Sequence, residues 1–204
     1  MYANLKLFIE NKTPDDQLFN LINSTDINDY LKQYMKNLTA KVFRTYNASN
    51  LFQKELSKIT AKYENYNEVD KINILLDEFN RANGKVAMLC NHQKNINKSN
   101  VKQIETINKN IKLTKAKLKK EKANKKNPEK IQKLNDKLKK LKSKKTMKVE
   151  LKNISLGTSK VNYIDPRITA SFLKKHNLPI DKIFPKTLQE KFKWAFDVDE
   201  SFKF

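Results

Sequence analysis

The chain has 204 residues, with 43 Lys and Arg against 22 Asp and Glu, which gives a formal net charge of +21 at pH 7. This length suits one compact domain, or one domain with an appendage, and a hydrophobic content of 38% excludes wholesale disorder. The single cysteine, Cys90, excludes a disulfide framework, and no Cys/His cluster has zinc-ligand spacing, so we expect no metal site and a reducing, intracellular compartment.

The sequence offers no segment for secretion or for a membrane. The first 30 residues contain no basic segment followed by an apolar stretch. No window reaches the roughly 18 apolar residues that a membrane-spanning helix requires. We therefore expect a soluble protein that is not secreted and has no membrane partner.

The basic charge is concentrated in residues 98–148, where 20 Lys stand against four acidic residues and leave a local balance of +16. The other 153 residues carry only +5. Because 40 of the basic residues are Lys and three are Arg, codon bias could produce the same excess. Composition alone therefore does not choose between a solvated surface and a polyanionic partner.

Three helices are predicted before residue 60. Thr13 as N-cap, with Pro14 at the first helical position and acids in the first turn, predicts a helix over 14–23. Asp26 is predicted to cap a second helix over 27–36, and a break near Asn37 separates it from a third over 39–59. Apolar residues at helical spacing should face a core: Ile27, Leu31, Tyr34, Leu38 and Val42.

Two further helical regions follow. A helix is predicted from about Asn67 to Phe79, with continuation to Cys90 past Gly84, a residue that permits a kink. Residues 98–146 are predicted to form an antiparallel helical hairpin, because apolar residues recur every seven positions on both sides of a polar turn that ends at Pro128. The predicted seams are Val101, Ile104, Ile111 and Leu118 on the first helix, and Ile131, Leu134, Leu138 and Leu141 on the second.

After the hairpin the composition becomes globular again. Residues 155–159 are predicted to form a loop, Asp165 and Pro166 to open a helix that ends near Asn177, and Thr187 with Glu190 to form a capping box. No stretch alternates with period two for long. The fold class is therefore predicted to be mainly α, with globular pieces 1–97 and 149–204 packed together across the hairpin.

Three places favour phosphate chemistry. Lys41 and Arg44 lie three positions apart on one helix face, and Arg is a planar, bidentate donor suited to phosphate; a surface salt bridge is the alternative. His92 follows an apolar run, where a structural histidine is the alternative. Tyr163 lies between a polar loop and a helix, where a half-buried core tyrosine is the alternative. With two glycines in the whole chain, a nucleotide-binding loop is excluded.

These three places lie in longer motifs that resemble one family. The motifs are LTAKVFRTYNAS at 38–49, FNRAN at 79–83, LCNHQ at 89–93 and LGTSKVNYIDPRIT at 156–169. In this order and spacing they resemble eukaryotic-type DNA topoisomerase I, the type IB class, and the resemblance runs from Asn4 to Phe204. The Lys-rich hairpin stands where that family has its coiled-coil linker.

The resemblance implies three regions and an activity. Residues 1–97 would be the C-terminal portion of the helical catalytic core, 98–148 the linker, and 149–204 a small helical domain that carries the nucleophile. Family members cut one strand of duplex DNA with a tyrosine, let the duplex rotate and reseal it, without ATP or an obligatory metal. Duplex DNA as partner, no cofactor and a nuclear location are therefore expected.

The resemblance also implies roles for individual residues. Tyr163 would form the 3′-phosphotyrosyl bond, and Arg44 and His92 would donate to the non-bridging phosphate oxygens. Lys41, at a position that tyrosine recombinases commonly fill with His, would contact DNA phosphate. Thr158 and Asn162 would be DNA or site contacts beside the nucleophile.

One departure from the family pattern matters. An earlier catalytic Arg and a Lys general acid, both N-terminal to the position that matches Asn4, are missing. We expect either a piece of a longer protein or one subunit of a split enzyme whose partner supplies the N-terminal core, and we expect the chain alone not to relax DNA. Two alternatives stay open: a tyrosine recombinase, against which Lys41 and the long hairpin speak, and a non-catalytic basic helical module that binds nucleic acid.

Overall fold

A computed structural model describes residues 1–66, 70–95, 98–124 and 127–204. Within these ranges the chain forms α-helices and two short 3-10 turns but no β-strand, which confirms the mainly α prediction. None of the helices in this described part combines the length and the apolar character needed to cross a membrane. The helices are α1 Tyr2–Ile9, α2 Ser24–Lys32, α3 Ala40–Tyr63, α4 Lys71–Leu89, α5 Lys98–Asn124, α6 Pro128–Glu150, α7 Leu156–Asn162, α8 Pro166–Lys175 and α9 Lys186–Lys191.

Residues 1–46 and residues 47–204 form two compact units, with α3 passing from the first into the second. No residue of the first unit is buried. Large apolar side chains on it stay exposed, among them Leu21 at 89% and Tyr34 at 69%. This division into two units does not coincide with the three predicted regions, 1–97, 98–148 and 149–204. Those regions stay a prediction.

The first unit differs from the sequence prediction at two places. The predicted helix over 14–23 is wrong: the Lys12 ammonium donates to the Gln17 and Leu18 carbonyls at 2.9 and 2.7 Å, and a helix would need those carbonyls for its own ladder. The cap of α2 is Asn23 rather than Asp26, which instead accepts from the Asn23 backbone N–H at 2.9 Å as the second half of a capping box. The predicted break near Asn37 is confirmed by its φ of 66°.

One hydrophobic core joins α3, α4, α8 and the chain after α8 within the second unit. Phe52 of α3, Phe79 of α4 and Phe172 of α8 lie in contact, with ring centroids 5.2 and 6.0 Å apart, and each is at most 4% exposed. The chain after α8 completes this core with the fully buried Phe184 and with Ala195. Segments on both sides of the hairpin thus share one core, which fixes α3, α4 and α8 relative to one another.

The Lys-rich segment is an antiparallel helical hairpin, as predicted, although the predicted turn falls partly on residues 125–126, outside the described part. Lys130 pairs with Glu121 near the tip at 2.5 Å, and Lys148 donates to Gln103 near the base at 2.6 Å. The observed seam differs from the predicted one, because Val101 is 47% exposed, while Ile107 and Thr114, which were not predicted to lie in the seam, are buried. The most buried seam residues of α5 are Ile107, Thr114 and Leu118.

Helix α4 continues through Gly84 as one helix to Leu89, while the predicted start at 67–69 lies outside the described residues. A Cβ atom at position 84 would overlap Cδ2 of Leu151, the residue that caps the end of α6. Glycine therefore allows the base of the hairpin to pack closely on α4. Arg81 of α4 strengthens this contact through Glu150 of α6, at 3.7 Å.

Two predictions for the C-terminal part are wrong. Residues 156–162 form helix α7 rather than a loop, because contacts from α4 and the turn after it hold this short segment. Thr187 does not cap α9, whose N-cap is Pro185 without a side-chain bond. The helix predicted after Asp165 is confirmed as α8, in which Asp165 accepts from the Arg167 N–H at 2.9 Å and Pro166 occupies the first turn.

Candidate active site

His92 is positioned by the way α4 ends. The His92 N–H donates to the Ala87 carbonyl at 2.8 Å, and the Asn91 N–H donates to the Met88 carbonyl at 3.0 Å. With Asn91 in the left-handed region at φ 54°, this is a Schellman motif with asparagine in place of the usual glycine. The local sequence after Cys90 thus stops the helix and turns His92 away from it.

Because Asn91 adopts a left-handed conformation, Asn91→Ala should lower the free energy of unfolding by about 1 kcal/mol. Asn91→Gly should keep the stability within a few tenths of a kcal/mol, since glycine adopts this conformation without steric cost. Urea unfolding of both variants measures the difference. Equal losses in the two variants would show that the Asn91 side chain, and not the backbone conformation, is what matters.

The segment around His92 is bonded to the segment that leads into α7. The Ser155 N–H donates to the His92 carbonyl at 2.9 Å, and the Lys94 N–H donates to the Asn153 carbonyl at 2.9 Å. From the body of α4, the buried Asn83 amide donates to the Leu156 carbonyl at 2.9 Å. These bonds bring the start of α7 against the end of α4.

His92 and Tyr163 lie side by side as a result. Their ring centroids are 5.1 Å apart with an angle of 36° between the planes, and both side chains are half-buried. The His92 Nδ1 is 2.7 Å from the Oγ of Ser159, which is fully buried. The structure thus joins two of the three residues proposed for catalysis, across 71 positions of sequence.

The backbone of Tyr163 is held from two sides. Its N–H donates to the Ser159 carbonyl at 2.9 Å, as the last bond of α7. From α3, the Ser49 Oγ donates to the Tyr163 carbonyl at 3.2 Å and accepts from the Asp165 N–H at 3.0 Å. Because Ser49 is fully buried, the tyrosine backbone has a fixed position on the core.

The other predicted site residues lie on α3 and α7. Lys41 and Arg44 are exposed on the first turns of α3, in the first unit, so their approach to His92 and Tyr163 stays a prediction. Thr158 and Asn162 lie on α7 rather than in a loop. Thr158 Oγ1 is 3.1 Å from a serine hydroxyl, and the Asn162 amide donates to the Thr158 carbonyl at 3.2 Å.

Three other cations of the second unit, Arg81, Arg167 and Lys160, have structural partners. Arg81 pairs with Glu150, and Arg167 binds the carboxylate of Asp165 at 2.7 Å. Lys160 follows Ser159, but its ammonium donates to the Ile183 carbonyl at 2.7 Å, and burial lowers its pKa. In the described part of the chain, no group of three His, Cys, Asp or Glu residues is arranged to hold a metal ion.

Known families match nearly the whole chain. Residues 1–125 match the family described as "Eukaryotic DNA topoisomerase I, catalytic core", and residues 135–204 match the "C-terminal topoisomerase domain". The chain belongs to the eukaryotic DNA topoisomerase I family. The order of His92 and Tyr163 along the chain follows this division, with the histidine in the core match and the tyrosine in the C-terminal match.

Curated relatives in animals agree with this membership. The chain is 42% identical to DNA topoisomerase 1 of Caenorhabditis elegans over 98% of its length, and 42% identical to the proteins of the same name from Drosophila melanogaster and Homo sapiens over all of it. It is also 36% identical to a rat protein named DNA topoisomerase I, mitochondrial. The chain spans 25%, 21% and 29% of the first three relatives.

Sequence reasoning missed three polar residues that organise the pair. Asn83 lies on the same i, i+4 row of α4 as Leu75 and Phe79, and a polar residue on such an apolar row was a usable signal. Ser49 is also a polar residue on a buried helix face, next to Ala48 on α3. Ser159 gave no comparable signal, because α7 was not predicted as a helix.

Proposed function

We propose that the chain supplies the tyrosine-bearing part of a type IB topoisomerase, which relaxes supercoiled duplex DNA through a transient single-strand break. The contact between His92 and Tyr163 carries this proposal, because it places a phenol nucleophile beside an imidazole donor. Family membership supports the reaction type, and the hydrogen bonds from Ser49 and Ser159 support a fixed geometry for the nucleophile.

In the proposed reaction the Tyr163 phenol oxygen attacks a backbone phosphorus. A bond forms between this oxygen and phosphorus as the bond from phosphorus to the 5′ oxygen breaks, so the products are a 3′-phosphotyrosyl ester and a 5′-hydroxyl. The phenol gives up one proton and the leaving oxygen takes up one. His92 and Arg44 donate to the non-bridging oxygens and stabilise the charge that develops on them. Resealing is the reverse reaction, so no ATP is consumed.

We also propose that this chain needs a second part to react. The resemblance assigns a further Arg and a Lys general acid to a region before the position that matches Asn4. Arg81, Arg167 and Lys160 do not replace them, because each is bound to a structural partner. The apolar side chains exposed on residues 1–46 support a docked partner there, the N-terminal remainder of the core, in cis or as a separate subunit.

The test is reconstitution. The purified chain is mixed with the part of the Caenorhabditis elegans relative that precedes its matched region, and supercoiled plasmid is added without ATP. Relaxation by the mixture, and none by either part alone, is the expected result. A mixture that binds together without relaxing the plasmid would contradict the proposed activity, and relaxation by the chain alone would contradict the need for a partner.

The alternative of a non-catalytic basic module makes the hairpin the DNA-binding element. Because Gln103 and Lys148 are in contact, residues 105–146 can be replaced by a short Gly-Ser loop without separating the hairpin base. We expect the shortened chain to retain cleavage in the reconstituted enzyme. Its DNA affinity should depend less steeply on salt, since each lost Lys–phosphate contact lowers the slope of log K against log salt by about 0.9. Loss of all DNA binding in the shortened chain, together with a full-length mixture that does not cleave DNA, would favour the module.

A tyrosine recombinase is the second alternative. It would exchange strands at a defined DNA site, whereas a topoisomerase relaxes plasmids of unrelated sequence.

We propose a nuclear location for the protein. Because one relative is named as mitochondrial, the mitochondrion is the location to compare with the nucleus. Imaging of the tagged full-length protein against markers of both organelles decides between them.

A further inference from the structure

We propose that Ser159 is a positioning residue that fixes the imidazole of His92, and that it also aligns this histidine with the nucleophile. The inference rests on the proposed function for its consequence in catalysis, but its structural part stands on the contacts of Ser159 alone. Ser159 is fully buried on α7, four residues before Tyr163.

Ser159 contacts both partners of the site through different atoms. Its Oγ is 2.7 Å from His92 Nδ1. Its carbonyl accepts from the Tyr163 N–H at 2.9 Å and from the Ile164 N–H at 3.0 Å. Ser159 therefore links the His92 side chain to the Tyr163 backbone, and a shift of Ser159 would disturb both.

A serine hydroxyl can donate to Nδ1 or accept from it, and the proposal is that the Ser159 hydroxyl donates. When the Ser159 hydroxyl donates to Nδ1, a neutral His92 must carry its proton on Nε2. That protonation state makes Nε2 a donor, as required for a contact to a phosphoryl oxygen. The opposite tautomer would turn Nε2 into an acceptor, which would repel the same oxygen.

Ser159→Ala separates these roles cleanly. The substitution removes the hydroxyl while it keeps the backbone carbonyl that holds Tyr163 and Ile164. Ser159→Cys provides a second variant with a weak donor at the same place. Ser171→Ala is the matched control, because Ser171 is also buried and its Oγ donates to the Glu200 carbonyl at 2.8 Å, a contact that includes neither His92 nor Tyr163.

The first measurement needs no activity. The chain has two histidines, so the imidazole nitrogens of His92 can be assigned by NMR with His176 as an internal reference. Above neutral pH we expect the wild type to show a single Nε2–H tautomer for His92. In Ser159→Ala the two ring-nitrogen shifts should move toward each other, while Ser171→Ala leaves them unchanged. A wild-type His92 that carries its proton on Nδ1, or shifts that Ser159→Ala leaves unchanged, would overturn the inference.

The second measurement is a double-mutant cycle in the reconstituted enzyme. Ser159→Ala should slow single-turnover cleavage roughly 10- to 100-fold, by analogy with the loss of groups that orient metal-binding histidines. Ser159→Cys should lie between Ser159→Ala and the wild type. In a His92→Ala background, Ser159→Ala should have no further effect. An equal loss in both backgrounds would mean a merely structural role. Absence of cleavage in the wild-type mixture would count against the proposed function, and the NMR result would still test the position of His92.

Discussion

Replacing Tyr163 with Phe is expected to abolish plasmid relaxation and covalent capture of DNA by the reconstituted enzyme. The substitution removes the phenol oxygen that is proposed to bond to phosphorus. The ring contact with His92 at 5.1 Å does not need the hydroxyl, so the fold should survive. Gel relaxation assays and denaturing gels of the protein–DNA adduct measure the two losses.

Tyr63→Phe is the matched control for this experiment. Tyr63 ends α3 in the second unit, and its hydroxyl donates to Glu78 at 3.0 Å, so the substitution removes a phenol hydroxyl without touching His92 or Tyr163. The control should relax plasmid at the wild-type rate. An adduct that still forms with Tyr163→Phe would remove this tyrosine from the mechanism.

Replacing Arg44 with Ala should slow cleavage by about 10²- to 10³-fold, since a donor aimed at developing oxyanion charge contributes on this order. Arg44→Lys should recover part of the rate, because it keeps the charge but loses the planar, bidentate donor. Single-turnover cleavage of a labelled duplex at saturating enzyme measures the chemical step apart from DNA binding.

Lys54→Ala on the same helix is the control for lost positive charge, because Lys54 is exposed on α3, ten residues further along the chain. It should weaken DNA binding slightly at most and leave the cleavage rate unchanged. Equal effects of the two alanine variants would reduce Arg44 to a general electrostatic contribution. A cleavage rate unaffected by Arg44→Ala would contradict its proposed place beside the phosphate.

Long periodic segments could be predicted from the sequence alone. The hairpin follows from apolar residues at seven-residue spacing, and α8 follows from Asp165 before Pro166, because these signals are local and repeat. The buried seam of the hairpin nevertheless differs from the predicted one, because Val101 is exposed and Ile107 is buried. Which residues of a helix are buried in the hairpin depends on the helix that packs against it. The sequence of one helix does not contain that information.

Segments governed by distant contacts could not be predicted. Helix α7 is seven residues long and contains Gly157, so its own helix propensity is poor. It is held by Asn83 of α4 and by His92 of the turn that follows α4. The opposite error occurred over 14–23, where good capping residues were present but Lys12 bound the carbonyls instead. In both cases a tertiary or side-chain bond overrode the local preference.

The candidate site shows the same division. Arg44, His92 and Tyr163 could be singled out because they lie in motifs that resemble one family, and the structure brings His92 and Tyr163 together. The serines that hold the pair were not singled out, because buried hydroxyls act through positions far away in sequence: Ser49 binds the Tyr163 backbone 114 residues on. Supporting residues of this kind become visible only when the fold is known.

The central claim is that Tyr163 of this chain becomes covalently bound to the 3′ end of a cut DNA strand. The most direct test traps the reconstituted enzyme on a duplex whose cut releases a short 5′-hydroxyl fragment, digests protein and DNA, and locates the attached nucleotide by mass spectrometry. We predict that the nucleotide phosphate is found on the peptide that contains Tyr163. Attachment at another residue, or a trapped strand with its phosphate at the 5′ end, would contradict the claim.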